Sequence, residues 1–260
     1  MSQLSRRRAL GLSAGAAIAA VAGCSTDSAS PSSQSTSAPA TTTSAQTPVP
    51  ATTVPPTTPI GGPAVQLARG ASGRPEVALT FHGAGDLSIT RQVLAALAAG
   101  HAQATVLAVG TWLAASPDGV RMVRDGGHEI GNHTWSHGDL AAMEPNPMLV
   151  EITRCRDKLA DILGTPGTFF RQSQGQHATQ QELIEAGQAG YARVLSYDID
   201  STDWEDPGPA AVRQAVTKAT AGSVVSMHLG HQGTVLALPG ILRDLADRGL
   251  TPVTATELLR

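Results

Sequence analysis

From residue 65 onwards the chain alternates short β-branched or aliphatic runs with longer Ala- and Leu-rich runs of helical period, about seven times in succession. The strand-like runs are residues 77–81, 104–109, 129–131, 168–171, 192–197, 223–228 and 252–254. Helical runs separate them, among them 89–99, 148–163, 180–189, 209–219 and 236–248. Crossovers of this length join parallel strands, and a parallel sheet needs helices over its faces. About seven such units predict an α/β barrel, closed or nearly so, over an open doubly wound sheet. No G-x-G-x-x-G follows the first strand to argue for the open form.

A barrel of this kind carries its chemistry just after the carboxyl ends of its strands. Polar residues of chemical type fall there repeatedly: His82 and Asp86 after the first run, His133 and His137 after the third, Arg171 after the fourth, Asp198, Asp200 and Asp203 after the fifth, and His228 after the sixth. His133 and His137 stand four apart, so a helical turn after His133 would put both imidazoles on one face and within reach of one metal ion. Two ligands do not complete a site, and two of eight histidines can fall four apart by chance. A third donor and an acid or base must come from the other strand ends.

The first quarter reads differently. Residues 1–24 open with Arg6-Arg7-Arg8 and continue in an apolar Ala/Gly-rich run too short for a comfortable membrane span, the pattern of a signal peptide. Val21-Ala22-Gly23-Cys24 resembles the lipobox of bacterial lipoproteins, and Ser5-Arg6-Arg7 with Ala9-Leu10 resembles a twin-arginine export signal. Together they imply an exported chain held by a lipid on Cys24 at the outer face of the cytoplasmic membrane, in the cell envelope. Residues 25–64 are nearly all Ser, Thr, Ala, Pro and Gln. They bury too little apolar surface to offset the entropy of ordering and are expected to form an extended, disordered stalk. Residues 65–260 are then one folded domain with a substantial core. Cleavage before Cys24 removes three arginines and no acids, taking the formal charge from −3 to about −6 and arguing against nucleic acid as a partner. With Cys24 lipidated, Cys155 has no second thiol to pair with and reads as a small buried apolar residue.

Gly127-His128-Glu129-Ile130-Gly131-Asn132-His133-Thr134-Trp135-Ser136-His137 resembles the second motif of the NodB-type polysaccharide deacetylases, carbohydrate esterase family 4. Partial matches to the other motifs lie in the family's order: Thr80-Phe81, Phe170-Arg171 with Gly175, Asp200-Ser201-Thr202-Asp203-Trp204, and Ser223-Val224-Val225-Ser226-Met227-His228. The resemblance implies a distorted (β/α)7 barrel, the NodB homology domain, which removes N-acetyl groups from a glycan with a divalent metal, often zinc. It implies that His133 and His137 hold the metal and that His228 protonates the leaving amine. Arg171 and Asp203 would orient the base and the acid, and the backbone N–H near Gln174 would help hold the oxyanion.

The first motif departs from the family. Thr-Phe-Asp-Asp-Gly, whose aspartates supply the base and the third ligand, is here Thr80-Phe81-His82-Gly83-Ala84-Gly85-Asp86. One expectation is that the glycine loop curls Asp86 back to complete a His-His-Asp site, with His82 as base or water-orienting group. The reverse makes His82 the ligand and Asp86 the base. A third reading leaves His82 as loop filler and Asp86 as the cap of the helix that follows. Gln172-Ser173 stand where the family usually has prolines, Ser226 replaces a leucine of the acetyl pocket, and Leu229 follows His228 instead of an acid; these changes bear on substrate fit. The lost aspartates also admit a glycan-binding protein without catalysis, or a hydrolase of another non-peptide C–N amide bond. Trp135 and Trp204 can stack on a sugar ring or serve packing, and His101, His177 and His231 read as surface residues.

Overall fold

The computed structural model describes residues 58–71 and 73–260; the signal peptide, Cys24 and most of the expected stalk lie outside them. Eight strands are formed, β1 (Val65–Leu67), β2 (Glu76–Gly83), β3 (Thr105–Ala108), β4 (Glu129–Asn132), β5 (Arg193–Leu195), β6 (Ile199–Asp200), β7 (Val224–His228) and β8 (Thr251–Val253). The helices are α1 (Leu87–Ala99), α2 (Gly110–Ala115), α3 (Pro117–Asp125), α4 (Pro145–Leu163), α5 (Gln180–Gln188), α6 (Pro209–Val216), α7 (Gln232–Asp247) and α8 (Ala255–Leu258). No helix among the described residues is long and apolar enough to cross a membrane.

The strands pair in the order β4-β3-β2-β7-β6, all parallel, with β8 beside the first half of β2 and β1 beside β5. Phe170 bridges Asn132 on one side and Val194 on the other, so the chain around it fills the wall between β4 and β5. The expected barrel of about seven β/α units is therefore present, and distorted. The fourth run contributes only the bridge at Phe170, the fifth shortens to β5, and β1 and β6 are strands the runs do not foresee. The chain also packs before residue 65, with Ile60 N–H donating to Gly187 O at 3.2 Å and Ala64 N–H to Leu183 O at 2.8 Å.

Strand β2 reads Glu-Val-Ala-Leu-Thr-Phe-His-Gly and is buried along nearly its whole length, as a parallel strand covered on both faces must be. Its odd positions, Val77, Leu79 and Phe81, join Val93, Leu97, Leu238 and Ile241 in the core between sheet and helices. Ala78 instead belongs to a cluster drawn from strands around the barrel, with Leu107, Phe169, Leu195 and Val224. Strand period two then puts Thr80 and His82 on that inner face and Gly83 on the outer one. The β2–β7 register sets His82 directly opposite His228, at the carboxyl ends of both strands.

Candidate metal centre and active site

Three imidazoles meet where those strands end. One ring nitrogen from each of His82, His133 and His137 lies within 4.8 Å of the others, the one such group of three metal-binding side chains among the described residues. Ring centroids are 4.1 Å apart for His82 and His133, 4.7 Å for His133 and His137, and 6.3 Å for His82 and His137. His133 Nδ1 stands 3.0 Å from Arg171 O, while its Nε2 is buried without a partner. A proton on Nδ1 satisfies that carbonyl and leaves the Nε2 lone pair facing the other rings, the arrangement a metal ligand needs. Burial, reinforced by the neighbouring imidazoles and the Arg171 cation, holds His82 and His133 well below the usual histidine range. Burial and His228 lower His137 in the same sense. All three are thus kept neutral, the form that coordinates a cation. Three imidazole nitrogens this close together are a donor set that suits one divalent ion of the kind that takes nitrogen ligands.

Asp86 is not part of this group, which corrects the expectation of a His-His-Asp site. Its carboxylate is exposed and caps α1, Oδ1 accepting from Ser88 N–H at 2.6 Å, and the Ser88 hydroxyl and then this N–H lower its pKa. The glycine loop does not curl it inward: Gly85 has φ +109° and lies so close to Gly230 that a Cβ would stand 2.6 Å from Gly230 Cα. The third imidazole comes from His82, while Gly83 points the other way. A Cβ on Gly83 would meet Val106 Cγ1 at 2.8 Å and Ala108 Cα at 2.9 Å, so position 83 is closed to any larger side chain without movement of β3. The helical turn expected after His133 does not form either. Thr134 and His137 have φ of +64° and +60°, and a loop rather than a helix face brings the two rings together.

His228 lies beside this trio, 4.3 Å from His82 between ring centroids. Its Nδ1 is 2.7 Å from Asp203 Oδ1, and Asp203 Oδ2 accepts from His228 N–H at 2.8 Å and from the Thr234 hydroxyl at 2.5 Å. Burial raises the Asp203 pKa, but the bonds from His228 and Thr234 outweigh it and leave the carboxyl below its ordinary value. Arg171 is fully buried and donates to Leu195 O at 2.6 Å and Ser196 O at 3.2 Å, and burial pulls it down to about 9. It makes no hydrogen bond to His82; Arg171 Nη1 and His82 Nδ1 are both buried without a partner. After burial and the neighbouring imidazoles, the fixed positive charge of Arg171 also lowers the His82 pKa.

These groups open into a pocket of about 390 Å³ lined by His82, His137, Gln174, Tyr197, Asp200, Trp204, Ser226 and His228 among others. Tyr197 and Gln176 are wall residues that sequence reasoning did not single out; Tyr197 lay inside a strand run and carried no motif. Asp198, also at a strand end, instead accepts from Arg69, Ser223 and the Val224 N–H and takes no part in the pocket. Trp204 stands exposed on the rim, whereas Trp135 packs against the core under the Arg154 guanidinium, 3.7 Å from the ring centroid. His231 pairs with Asp206 at 2.8 Å, and His101 and His177 are exposed.

Residues 69–194 match the family model for polysaccharide deacetylase. The peptidoglycan-N-acetylglucosamine deacetylase of Bacillus cereus is 33% identical over 189 residues, spanning 71% of this chain and 88% of that one. The chain belongs to the polysaccharide deacetylase family. Among solved structures of the family, a peptidoglycan N-acetylglucosamine deacetylase in complex with 4-naphthalen-1-yl-N-oxidanyl-benzamide aligns with a TM-score of 0.70 at 28% identity, over 75% of this chain and 92% of that one. A family 4 carbohydrate esterase from Streptomyces lividans in complex with acetate aligns at 0.63 and 30% identity, over 68% and 91%. A pseudoenzyme of carbohydrate esterase family 4 from Bacillus anthracis shares the fold at 0.71, with 21% identity over 75% and 69%.

Proposed function

We propose that this polysaccharide deacetylase family member removes the acetyl group from N-acetylglucosamine units of a cell-envelope glycan, peptidoglycan being the polymer named for its Bacillus cereus relative. The observation that carries the reading is the convergence of three neutral imidazole donors and an oriented His228–Asp203 pair on one pocket at the strand ends. His82, His133 and His137 would hold a divalent cation, Zn2+ being the one their nitrogen donors suit, and when bound it would supply Lewis acidity to the pocket.

The protein's own groups then handle the proton. With Nδ1 committed to Asp203, His228 has Nε2 free for the pocket. Positions 82 and 83 carry no carboxylate, and His82 is read as a metal donor, so the His228 imidazole takes the proton of the attacking water at Nε2. It returns that proton to the amide nitrogen as the C–N bond breaks, leaving acetate and a free amine. Asp203 holds the imidazole in the required tautomer, and Arg171 adds a fixed positive potential behind His82. The amino-terminal signal and Cys24 support export and lipid anchoring in the cell envelope.

A second reading, glycan binding without catalysis, is favoured by one observation, the loss of both first-motif aspartates. Metal analysis and acetate release from N-acetylated oligosaccharides separate the two. The enzyme is expected to hold about one divalent ion per chain and to release acetate, and His133→Ala to do neither. A chain without metal, and no faster than His133→Ala, is a binding protein. Mass spectrometry of the product distinguishes loss of acetyl from cleavage of another amide.

A further inference from the structure

The loop that carries His137 does not hold its shape by local preference. Thr134 and His137 sit in the left-handed region, which costs a non-glycine residue on the order of 1 kcal/mol each. Its backbone polar groups are tied off mostly from outside the loop. Gly110 N–H and Thr111 N–H donate to the carbonyls of Thr134 and Trp135, each at 2.9 Å. Asn132 Oδ1 accepts from Thr134 N–H at 2.9 Å, Thr134 Oγ1 from His137 N–H at 3.2 Å, and Glu151 Oε2 from Ser136 N–H at 2.8 Å.

The carbonyls of His137 and Gly138 are both bound by the loop after Arg171. Gln174 Nε2 donates to His137 O at 3.1 Å, and the buried Ser173 hydroxyl donates to Gly138 O at 2.5 Å. Gln172 Nε2 donates to Gly175 O at 2.9 Å and closes the clamping loop on itself. Proline side chains at 172 and 173 could make neither the Gln172 nor the Ser173 bond.

We propose that Ser173 and Gln174 are positioning residues for the metal centre, fixing the His137 ring against His82 and His133 by holding the two carbonyls that end its loop. The inference rests on the reading of His137 as a metal donor. A donor whose backbone is clamped loses little freedom on coordination, so removing the clamp weakens binding without removing a ligand.

The test is Zn2+ titration of the full chain by calorimetry, with the thermal midpoint of the metal-free protein measured alongside. Ser173→Ala is expected to raise the Zn2+ dissociation constant roughly tenfold, the lower end of the cost of losing a partner behind a ligand. Ser173→Thr keeps the hydroxyl and is expected to restore affinity to near the parent value. Gln174→Met, at an exposed position, removes the second donor and is expected to weaken binding in the same direction even if Ser173→Ala does not fold. A role in general stability would instead lower the metal-free midpoint and leave the dissociation constant unchanged, which would overturn the proposal. Loss of binding in His137→Ala with parental affinity in Ser173→Ala and Gln174→Met overturns the clamp alone. Parental affinity in His137→Ala overturns the donor assignment beneath it.

Discussion

Replacing Asp203 by Asn changes one atom of a carboxylate that three donors share. His228 Nδ1 reaches Oδ1 at 2.7 Å, while His228 N–H and the Thr234 hydroxyl reach Oδ2 at 2.8 and 2.5 Å. An amide offers only one acceptor oxygen. The His228 backbone N–H can do nothing but donate, so it keeps that oxygen, and the amide NH2 turns toward His228 Nδ1. Nδ1 must then present its lone pair, and the ring proton moves to Nε2, the atom that has to accept the proton of the attacking water. The charge-assisted bond that is lost is worth roughly 1.5–3 kcal/mol, and an oriented acid–base group contributes about 10²–10⁴ in rate. Initial rates of acetate release from an N-acetylated oligosaccharide should therefore show kcat reduced by about 10²–10³, with KM and bound metal unchanged. An unchanged kcat, or a loss confined to KM, refutes the assignment of His228 and its tautomer. The same variant reports on acid stability. Because the Asp203 carboxyl is held below its ordinary value, its stabilisation is complete at neutral pH and is lost as the pH falls through the carboxylate range. The Asn variant lacks that titration, so its unfolding free energy should fall less steeply there.

Asp86→Ala should lower the thermal midpoint by a few degrees through loss of the α1 cap and leave metal stoichiometry untouched; loss of metal would return Asp86 to the ligand set. Gly83→Ala should destabilise by about 1–3 kcal/mol in urea, because the new Cβ presses on Val106 and Ala108, and an equally or more stable variant would show that β3 yields. Treatment with a chelator should abolish acetate release and added Zn2+ should restore it, whereas full activity in dialysed, metal-free protein would remove the metal from the reaction. Cys24→Ser should move the protein from the membrane fraction to the soluble one, and its retention there would exclude the lipid as anchor.

The sequence carried the barrel well because burial on both faces of a parallel strand forces long apolar runs, and β2, β3 and β7 are such runs. It carried Asp203 and His228 too, since each stands just past or at a strand end, where the fold collects chemistry. Which group joins His133 and His137 was only half legible. The choice between His82 and Asp86 turned on which way a short glycine loop folds, and that is set by Gly230, far along the chain, and by Trp112, whose Nε1 donates to Gly85 O at 3.1 Å. Strand period alone does favour His82, because it shares the inner face with Ala78 and Thr80 while Gly83 does not. The His133–His137 spacing singled out two rings that do meet, but on a geometric expectation that does not hold. Four-residue spacing on a helix and a clamped left-handed loop both bring two rings together, and only contacts with Ser173, Gln174 and Glu151 separate the two.

The early packing of residues 60–64 gives the molecule a polarity. Strand β1 runs parallel to β5, and α5 descends from the pocket end, so Ile60, bound at Gly187, sits at the floor of the barrel, opposite the ends of β2 and β7 that carry His82 and His228. Handle and working face are thus at opposite poles. Pro59, Gly61, Gly62 and Pro63 line a separate recess with Ile184 and Gly187, and none of them enters the histidine pocket.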